Sequence, residues 1–416
     1  MPRRHEPAGA HCDQAIRVAT SAHLFAKRPT LRIAIIAGEA SGDLLGAGLI
    51  RAVVARYPQA QFEGIGGPRM DAAGCDILYP MERLSVIGLL ETFHRYRELR
   101  GVRRRLIQRF IDDPPDLFVG VDAPDFNLTL ELALRQAGIS TVHYASPQVW
   151  AWRKYRLPKI RRAVDMMLTL FPFEEQFFRK HGVNARFVGH PLADIIPDST
   201  DQGAARSELG LATDDDVVAL LPGSRLSEVS LLAQPMIRAA GWLARRRRGV
   251  RFIVPLVNDQ VRRQFETALV ETGVAASGEA PEITLLTGNA RAAMAAADAV
   301  LLASGTASLE ALLLKRPMVI TYRLSRFSWW VASMVVNVPF AGLPNLLAGK
   351  ALVPELLQDD GTPEKLGGAL LEYFEQPAKA ELLREEFRRI HDVLRNHADE
   401  RAADAVLEVM GVPVSG

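Results

Sequence analysis

The chain has 416 residues, a length at which one hydrophobic core stops growing comfortably and two domains become the expectation. Hydrophobic residues at 48% and charged residues at 24% exclude the disordered and collagen-like classes. Two cysteines, Cys12 and Cys75, exclude a disulfide framework and fit a reducing cytoplasm, while the net charge of +2 conceals a local gathering of basic residues that a partner would feel.

Residues 1–30 hold scattered Arg, Pro, His and Ala without apolar periodicity, which supports neither a secretory signal nor a folded element and predicts a loose extension. Leu31–Ala37 is a short β-branched apolar run ending at Gly38, and Gly42–Arg56 has helical spacing of Leu, Ile and Val. The basic run Arg95–Arg109 holds seven arginines, Arg103 and Arg104 among them, with Glu98 as its only acid, and follows apolar Val86, Leu89 and Leu90. That apolar-then-basic order suits an anionic membrane or a phosphorylated lipid; the rival is a solvated helix face beside a buried strand. No nucleic acid is expected, because no RNA-binding module accompanies the arginines.

Strand and helix patterns then alternate at Leu117–Val121 and Phe126–Gln136, at Thr141–Tyr144, and at Met166–Leu170 and Glu174–Lys180. The pattern breaks between His190 and Gly203 into proline, aspartate, serine and threonine, a connector composition. It resumes with Val217–Leu221, Arg251–Pro255, Ile283–Leu286, Ala299–Leu302 and Met318–Thr321, and ends in a helical stretch from Pro363 to Val409. Alternation of this kind predicts an α/β chain of two doubly wound parallel-sheet domains, 31–195 and 196–362, with a helical segment 363–416 packing across domains or subunits. Ligands are expected where the carboxyl ends of the strands open, in a cleft between the halves.

From Phe327 to Gly349 no residue is charged, which on length alone would permit a membrane span. Pro339, Pro344, Asn337 and Asn345 argue against one, since they would leave polar groups unsatisfied in hydrocarbon. Two readings remain: an interfacial helix over Phe327–Val336 with Trp329 and Trp330 at headgroup level, or a core helix followed by a loop.

Four motifs fall at strand-to-helix turns, where free N–H groups and the helix dipole receive anions. Gly38-Glu39-Ala40-Ser41-Gly42-Asp43 is neither a Walker loop nor a nucleophile elbow, and a plain helix start capped by Ser41 or Asp43 competes with a ligand site. Gly120-Val121-Asp122-Ala123-Pro124-Asp125 puts two carboxylates after a strand, readable as a base or as helix caps, with Asp122 the better base because it lies nearest the strand end. Pro222-Gly223-Ser224-Arg225 suits a diphosphate, since arginine pairs phosphate oxygens bidentately and glycine admits backbone donors. Ser304-Gly305-Thr306 repeats the design, and Glu310 one turn on is placed either for ribose hydroxyls or for a capping box. Gly64-Ile65-Gly66-Gly67 is a further glycine-rich turn that misses the dinucleotide fingerprint. No metal site is expected: Asp214-Asp215-Asp216 precedes its strand and so falls at the wrong end of the sheet, and His143, His181 and His190 lack ligand spacing.

In wording and order these motifs resemble the lipid-A-disaccharide synthase family over Leu31 to Met410: AGEASGD at Ala37–Asp43, GVDAPDF at Gly120–Phe126, YASPQVWAW at Tyr144–Trp152, Gly189-His190, LPGSR at Leu221–Arg225, ASGTASLE at Ala303–Glu310 and GLPNLLAG at Gly342–Gly349. The resemblance implies an inverting GT-B glycosyltransferase of two Rossmann-like domains that needs no cofactor. It would join UDP-2,3-diacylglucosamine to 2,3-diacylglucosamine 1-phosphate (lipid X), giving a β-1,6-linked tetraacyl disaccharide 1-phosphate and UDP in lipid A biosynthesis. It further implies a cytoplasmic protein peripheral to the inner membrane, and a homodimer with exchanged C-terminal segments. Carried over, Asp122 is the general base, with Glu39 and Asp125 as second choices, and Arg225 with the helix start at Thr306 steadies the departing diphosphate. Glu310 holds the ribose and Asn345 closes over the nucleotide, while Ser41 and His190 line the substrate. An epimerase or related transferase would share the nucleotide half without needing Ser85–Arg109; a lipid-binding protein with a vestigial site would keep that segment and tolerate loss of Asp122 and Glu310.

Overall fold

Continuous apolar strands of five or six residues belong in a parallel sheet covered on both faces, and that is where these runs lie. In this computed structural model residues 30–84, 92–274, 280–325, 328–330, 334 and 338–412 are described. Residues 1–29 with Cys12, the apolar Val86, Leu89 and Leu90, and most of the stretch 327–336 lie outside the described residues.

Two compact units divide the chain, one running to Pro191 and resuming at Arg395, the other Leu192–Leu394. In the first, Arg32–Ala37 (β1), Gln61–Gly66 (β2), Cys75–Pro80 (β3), Leu117–Val121 (β4), Ser140–Tyr144 (β5), Met166–Thr169 (β6) and Ala185–Phe187 (β7) form a parallel sheet ordered β3-β2-β1-β4-β5-β6-β7. Alternation along β1 sends Ile33 and Ile35 into one core and Ala34 and Ile36 into another. The first core is closed by Leu45, Leu49, Ile50 and Val53 of helix Ala40–Arg56 and by Ala402, Val406 and Leu407 of helix Ala398–Val409. The second is closed by Val102, Leu106 and Phe110 of helix Thr92–Asp112 and by Leu130 and Leu134 of helix Pro124–Gln136. Arg97, Arg100, Arg104 and Arg105 are left on the exposed side of the basic helix.

In the second unit, Val217–Leu221 (β8), Arg251–Leu256 (β9), Glu282–Thr287 (β10), Ala299–Ala303 (β11), Met318–Tyr322 (β12) and Glu355–Leu357 (β13) are parallel in the order β10-β9-β8-β11-β12-β13. Helices Pro363–Glu375 and Pro377–Leu394 stay with this unit, Tyr373 donating its hydroxyl to the Met318 carbonyl at 2.9 Å. The last helix goes back to the first unit. Its approach to Ala40–Arg56 is so close that a Cβ on Gly48 would lie 2.2 Å from Asp399 Oδ1. Arg56–Asp404 at 2.9 Å and Arg186–Glu408 at 2.6 Å rim that contact. Among the described residues no helix is long and apolar enough to cross a membrane.

Candidate active site

In an open parallel sheet the connections turn in opposite directions at one point, and the helix starts on either side leave a crevice beyond the strand ends. Here that point lies between β1 and β4 in the first sheet and between β8 and β11 in the second. The four motifs singled out in the sequence are the four turns that leave those strands.

At the first switch point Ala37 pairs with Val121, so the Gly38–Ser41 turn and the Asp122–Ala123 turn leave adjacent strands side by side. A Cβ on Gly38 would meet the Ala123 Cβ at 2.8 Å, which explains the glycine. Glu39 and Ser41 are exposed there. Asp122 and Ala123 both adopt left-handed backbone, with φ of 50° and 42°, a conformation that costs a non-glycine residue about 1–3 kcal/mol. Packing enforces it: the Asp122 N–H donates to the Tyr144 carbonyl at 2.8 Å, and Asn127 Nδ2 donates to the Asp122 carbonyl at 2.8 Å. The turn lifts the half-buried Asp122 out of the strand direction.

Behind this turn lies a group absent from the sequence reading. His143 on β5 and Glu131 on helix Pro124–Gln136 are both fully buried, with His143 Nδ1 2.7 Å from Glu131 Oε1. Burial pushes the Glu131 carboxyl above its ordinary range against the pull of His143. Burial also opposes a charged His143, but the adjoining Glu131 and then Asp122 more than offset it and raise the imidazole. Gly120 makes room for the pair, since a Cβ there would stand 2.1 Å from Glu131 Oε1. The sequence signal was a Glu on the apolar face of a helix, flanked by Leu130 and Leu134.

The cap assignments change. Helix Ala40–Arg56 starts at Glu39 and helix Pro124–Gln136 at Ala123, neither with a side-chain cap, so Ser41, Asp122 and Asp125 are not caps. Asp43 is structural in another way: it accepts from the N–H groups of Gly67, Arg69 and Met70 at 2.8–3.0 Å and thereby anchors the next helix start. Asp125 is exposed and bound by Arg153 and Arg156. His190 is buried and stacks on Phe171, and burial drops its pKa to about 4. Nearby Glu174 accepts from Trp150 Nε1 and the Phe171 N–H, each at 3.2 Å, and burial raises it to about 7.

At the second switch point a cavity of about 500 Å³ is lined by Gly223, Ser224 and Arg225 after β8 and by Ser304, Gly305 and Thr306 after β11, with Val257 and Asn289 on the β9 and β10 side. That volume accommodates a nucleotide-sized ligand. Gly223 has φ 115°, and a Cβ on it would strike Glu228 Oε2 at 2.4 Å. Glu228 itself gathers the turn, accepting from the N–H groups of Ser224 at 3.1 Å and Arg225 at 3.3 Å. Ser304 Oγ donates to the Ala341 carbonyl at 2.8 Å, and Thr306 opens helix Thr306–Leu313 with Gly305, not a hydroxyl, at the cap.

Pro222 is buried beneath the turn. Glu310 is off the cavity lining, one helical turn in, with Arg291 Nε at 3.3 Å; it forms no capping box. Asn345 is 1% exposed and spends its amide on Val353, Leu352 and Glu355, so it braces the loop over β13 instead of facing the cavity. Asp215 and Asp216 pair with Arg251 and Arg247 at the amino end of β8. Trp329 and Trp330 are exposed, Arg103 is half-buried and Arg104 is exposed.

Two all-parallel sheets of Rossmann order, one bearing a strained acidic turn and the other a glycine-hydroxyl-arginine cavity, make this a GT-B fold. Solved structures of this architecture match nearly the whole chain: the UDP-GlcNAc 2-epimerase of Neisseria meningitidis bound to UDP-GlcNAc, at TM-score 0.58 and 11% identity over 92% of this chain and 99% of that one, and MurG of Acinetobacter baumannii, at TM-score 0.55 and 14% identity over 91% and 99%. The chain belongs to the lipid-A-disaccharide synthase family, for residues 33–409 match the family profile Lipid-A-disaccharide synthetase. The lipid-A-disaccharide synthase of Pseudomonas syringae pv. tomato is 54% identical over 385 residues, covering 92% of this chain and 99% of that protein. Its chemistry is therefore glycosyl transfer in the making of the lipid A disaccharide.

Proposed function

We propose that the chain joins UDP-2,3-diacylglucosamine to 2,3-diacylglucosamine 1-phosphate with inversion at the anomeric carbon, Asp122 acting as general base. The observation that carries this reading is the Asp122 turn: two consecutive left-handed non-glycine residues at a switch point, held by bonds to Tyr144 and Asn127. Strain of that kind persists where the surroundings impose it, and it is concentrated at reacting groups.

In the reaction Asp122 takes the proton of the acceptor's primary hydroxyl as its oxygen bonds to the anomeric carbon. The bond from that carbon to the diphosphate breaks with its electron pair, and UDP departs. The Arg225 guanidinium and the start of helix Thr306–Leu313 supply positive potential for the diphosphate in the second unit's cavity, beside a turn whose Ser224 and Arg225 N–H groups Glu228 holds. Glu310, tied to Arg291 one turn in, is suited to the ribose hydroxyls, and Asn345 acts indirectly by bracing its loop. Glu39 and Ser41, exposed on the turn beside Asp122, carry groups that suit acceptor hydroxyls. The exposed Trp329 and Trp330 on the second unit, and Arg104 and Arg105 on the first, suit the surface of the anionic bilayer in which both substrates dissolve.

The test is direct. Purified protein with the two diacyl sugars is expected to yield UDP and a tetraacyl disaccharide phosphate by mass spectrometry, with a β linkage by NMR; donor consumption without disaccharide would refute the assignment.

A further inference from the structure

The turn that carries Asp122 leads into Asp125, and Arg153, Arg156 and Lys159, the last also feeling the buried Glu131, gather beside that carboxylate. Arg156 of the 3-10 turn Lys154–Arg156 binds its Oδ1, and Arg153 reaches its Oδ2 at 3.4 Å. Arg103, from the basic helix, donates to the Asp125 carbonyl at 3.3 Å and lies 5.8 Å from the Phe126 ring centre. Lys159 of helix Leu157–Ala163 donates to Thr129 Oγ1 at 2.8 Å.

The cations come from two parts of the fold: Arg153, Arg156 and Lys159 follow one another at helical spacing along the continuous segment 153–163, and Arg103 reaches them from the basic helix. They feel one another: the Lys159 ammonium is held below its ordinary range by burial and then by Arg156 and Arg103. The Asp125 carboxyl is pulled the other way; burial would raise it, yet Arg156 and Arg153 bring it below the usual carboxylate range. Its side chain is 70% exposed, whereas those of Arg153 and Arg156 are 29% and 20% exposed, so the cluster opens outward through the acid. Arginine and lysine side chains that converge in this way complement a phosphate monoester, which brings close to two negative charges and three acceptor oxygens. Asp125 follows Asp122 by three residues, so even fully extended chain would keep the two within about 11 Å, and a ligand held at the cluster is near the Asp122 turn.

We propose that Arg153, Arg156 and Lys159, with Arg103, bind the phosphate monoester of the sugar acceptor, holding that sugar by its 1-phosphate while its primary hydroxyl meets Asp122. This rests on the reaction proposed above for its acceptor. Phospholipid headgroups offer the same chemistry; the assignment here is to the acceptor.

Two readouts on the full chain test it. Glucosamine 1-phosphate, a soluble probe, is titrated against the wild type and Arg156→Gln; binding weakened about tenfold or more in the variant is expected, and equal binding overturns the site whether or not the transfer reaction is correct. In kinetics, the wild type is expected to prefer the phosphorylated diacyl acceptor over its dephosphorylated form, and Arg153→Gln/Arg156→Gln to shrink that preference about tenfold or more through KM. A preference that survives, or equal losses with both acceptors, overturns the assignment. If the double variant fails to melt cooperatively, Lys159→Gln carries the same comparison. Sedimentation with phosphatidylglycerol vesicles is expected to be unchanged; loss of vesicle binding with the acceptor preference intact would move the cluster to the bilayer and overturn the proposal. A wild type that binds the probe but forms no disaccharide refutes the reaction and not the site.

Discussion

At its switch point the first unit buries ionisable side chains, Glu131 and His143 at 0% exposure, with Glu174 and His190 buried in the same unit. The second unit surrounds its cavity with glycine, hydroxyl and backbone groups and with an Arg225 whose side chain is 73% exposed. The same topology thus carries two kinds of site. Buried carboxyls and imidazoles respond to pH and suit proton transfer; fixed N–H donors and a solvated guanidinium are indifferent to pH near neutrality and suit a permanently charged diphosphate. Substitutions on the two sides should therefore be separable, turnover and pH response moving with the first unit and nucleotide affinity with the second.

The sharpest break comes from Asp122→Asn. If this carboxylate is the base, turnover falls by about 100-fold or more while UDP affinity, measured by calorimetry, stays within about twofold. Unchanged turnover would remove Asp122 from the mechanism and leave its strained backbone without a catalytic reason.

Next comes the pH response of folding. Glu174 is raised from 4.5 to about 7, so its folded form binds more protons than the unfolded chain across that interval, and its contribution falls as pH rises through 7. His190 is lowered from 6.5 to about 4, so its contribution is present above 6.5 and falls as pH drops toward 4. Above pH 6.5 the His190 contribution is constant, while those of Glu174 and of the raised His143 still fall, and only the first is removed by a change at Glu174. Glu174→Gln keeps an acceptor for Trp150 and Phe171 and removes the titration, so urea denaturation should find it gaining on the wild type by about 2 kcal/mol between pH 5 and pH 8. Parallel stability profiles would show that Glu174 does not titrate in this window.

Gly223→Ala moves the other side. With φ at 115° and Glu228 Oε2 2.4 Å from the new Cβ, the turn must shift, and about a tenfold loss of UDP affinity is expected without change in the pH profile of turnover. A turnover defect with normal UDP binding would erase the contrast between the units.

How much of this was legible in advance divides along the same physical line. Central strands such as Leu117–Val121 and Val217–Leu221 are apolar throughout because both faces are covered, and their positions could be read directly. The edge strands Cys75–Pro80, Ala185–Phe187 and Glu355–Leu357 are half-exposed and mixed in composition and were not read, whereas the edge strand Glu282–Thr287 was, through Ile283–Leu286; the interior strand Gln61–Gly66 was missed because its glycines Gly64 and Gly66 read as a turn. Strand-end motifs were legible because a turn beside a ligand needs glycine and small polar residues in order. Partners brought together by the fold were not: Glu131 meets His143 through a helix packed on a strand, and Asp125 meets Arg153 and Arg156 between the connections that follow the neighbouring strands β4 and β5. Asn345 shows the converse limit, a motif residue whose amide is engaged by Leu352, Val353 and Glu355, contacts that its motif did not announce.

Arg225 gives the smallest effect and the finest division. Its one ion pair among the described residues, with Glu228 at 3.4 Å, is an exposed contact three residues apart on a helix start, the kind worth roughly 0.2–0.5 kcal/mol. Arg225→Lys should therefore leave thermal unfolding where it is. Lysine keeps the charge but loses the planar fork that grips two phosphate oxygens, so UDP affinity should drop about fivefold, with a smaller drop for uridine, which lacks the diphosphate. A melting shift with unchanged UDP affinity would make Arg225 a helix-start residue. Equal losses for UDP and uridine would assign it to the nucleoside, and the diphosphate would then depend on the N–H groups of the Gly223 and Gly305 turns.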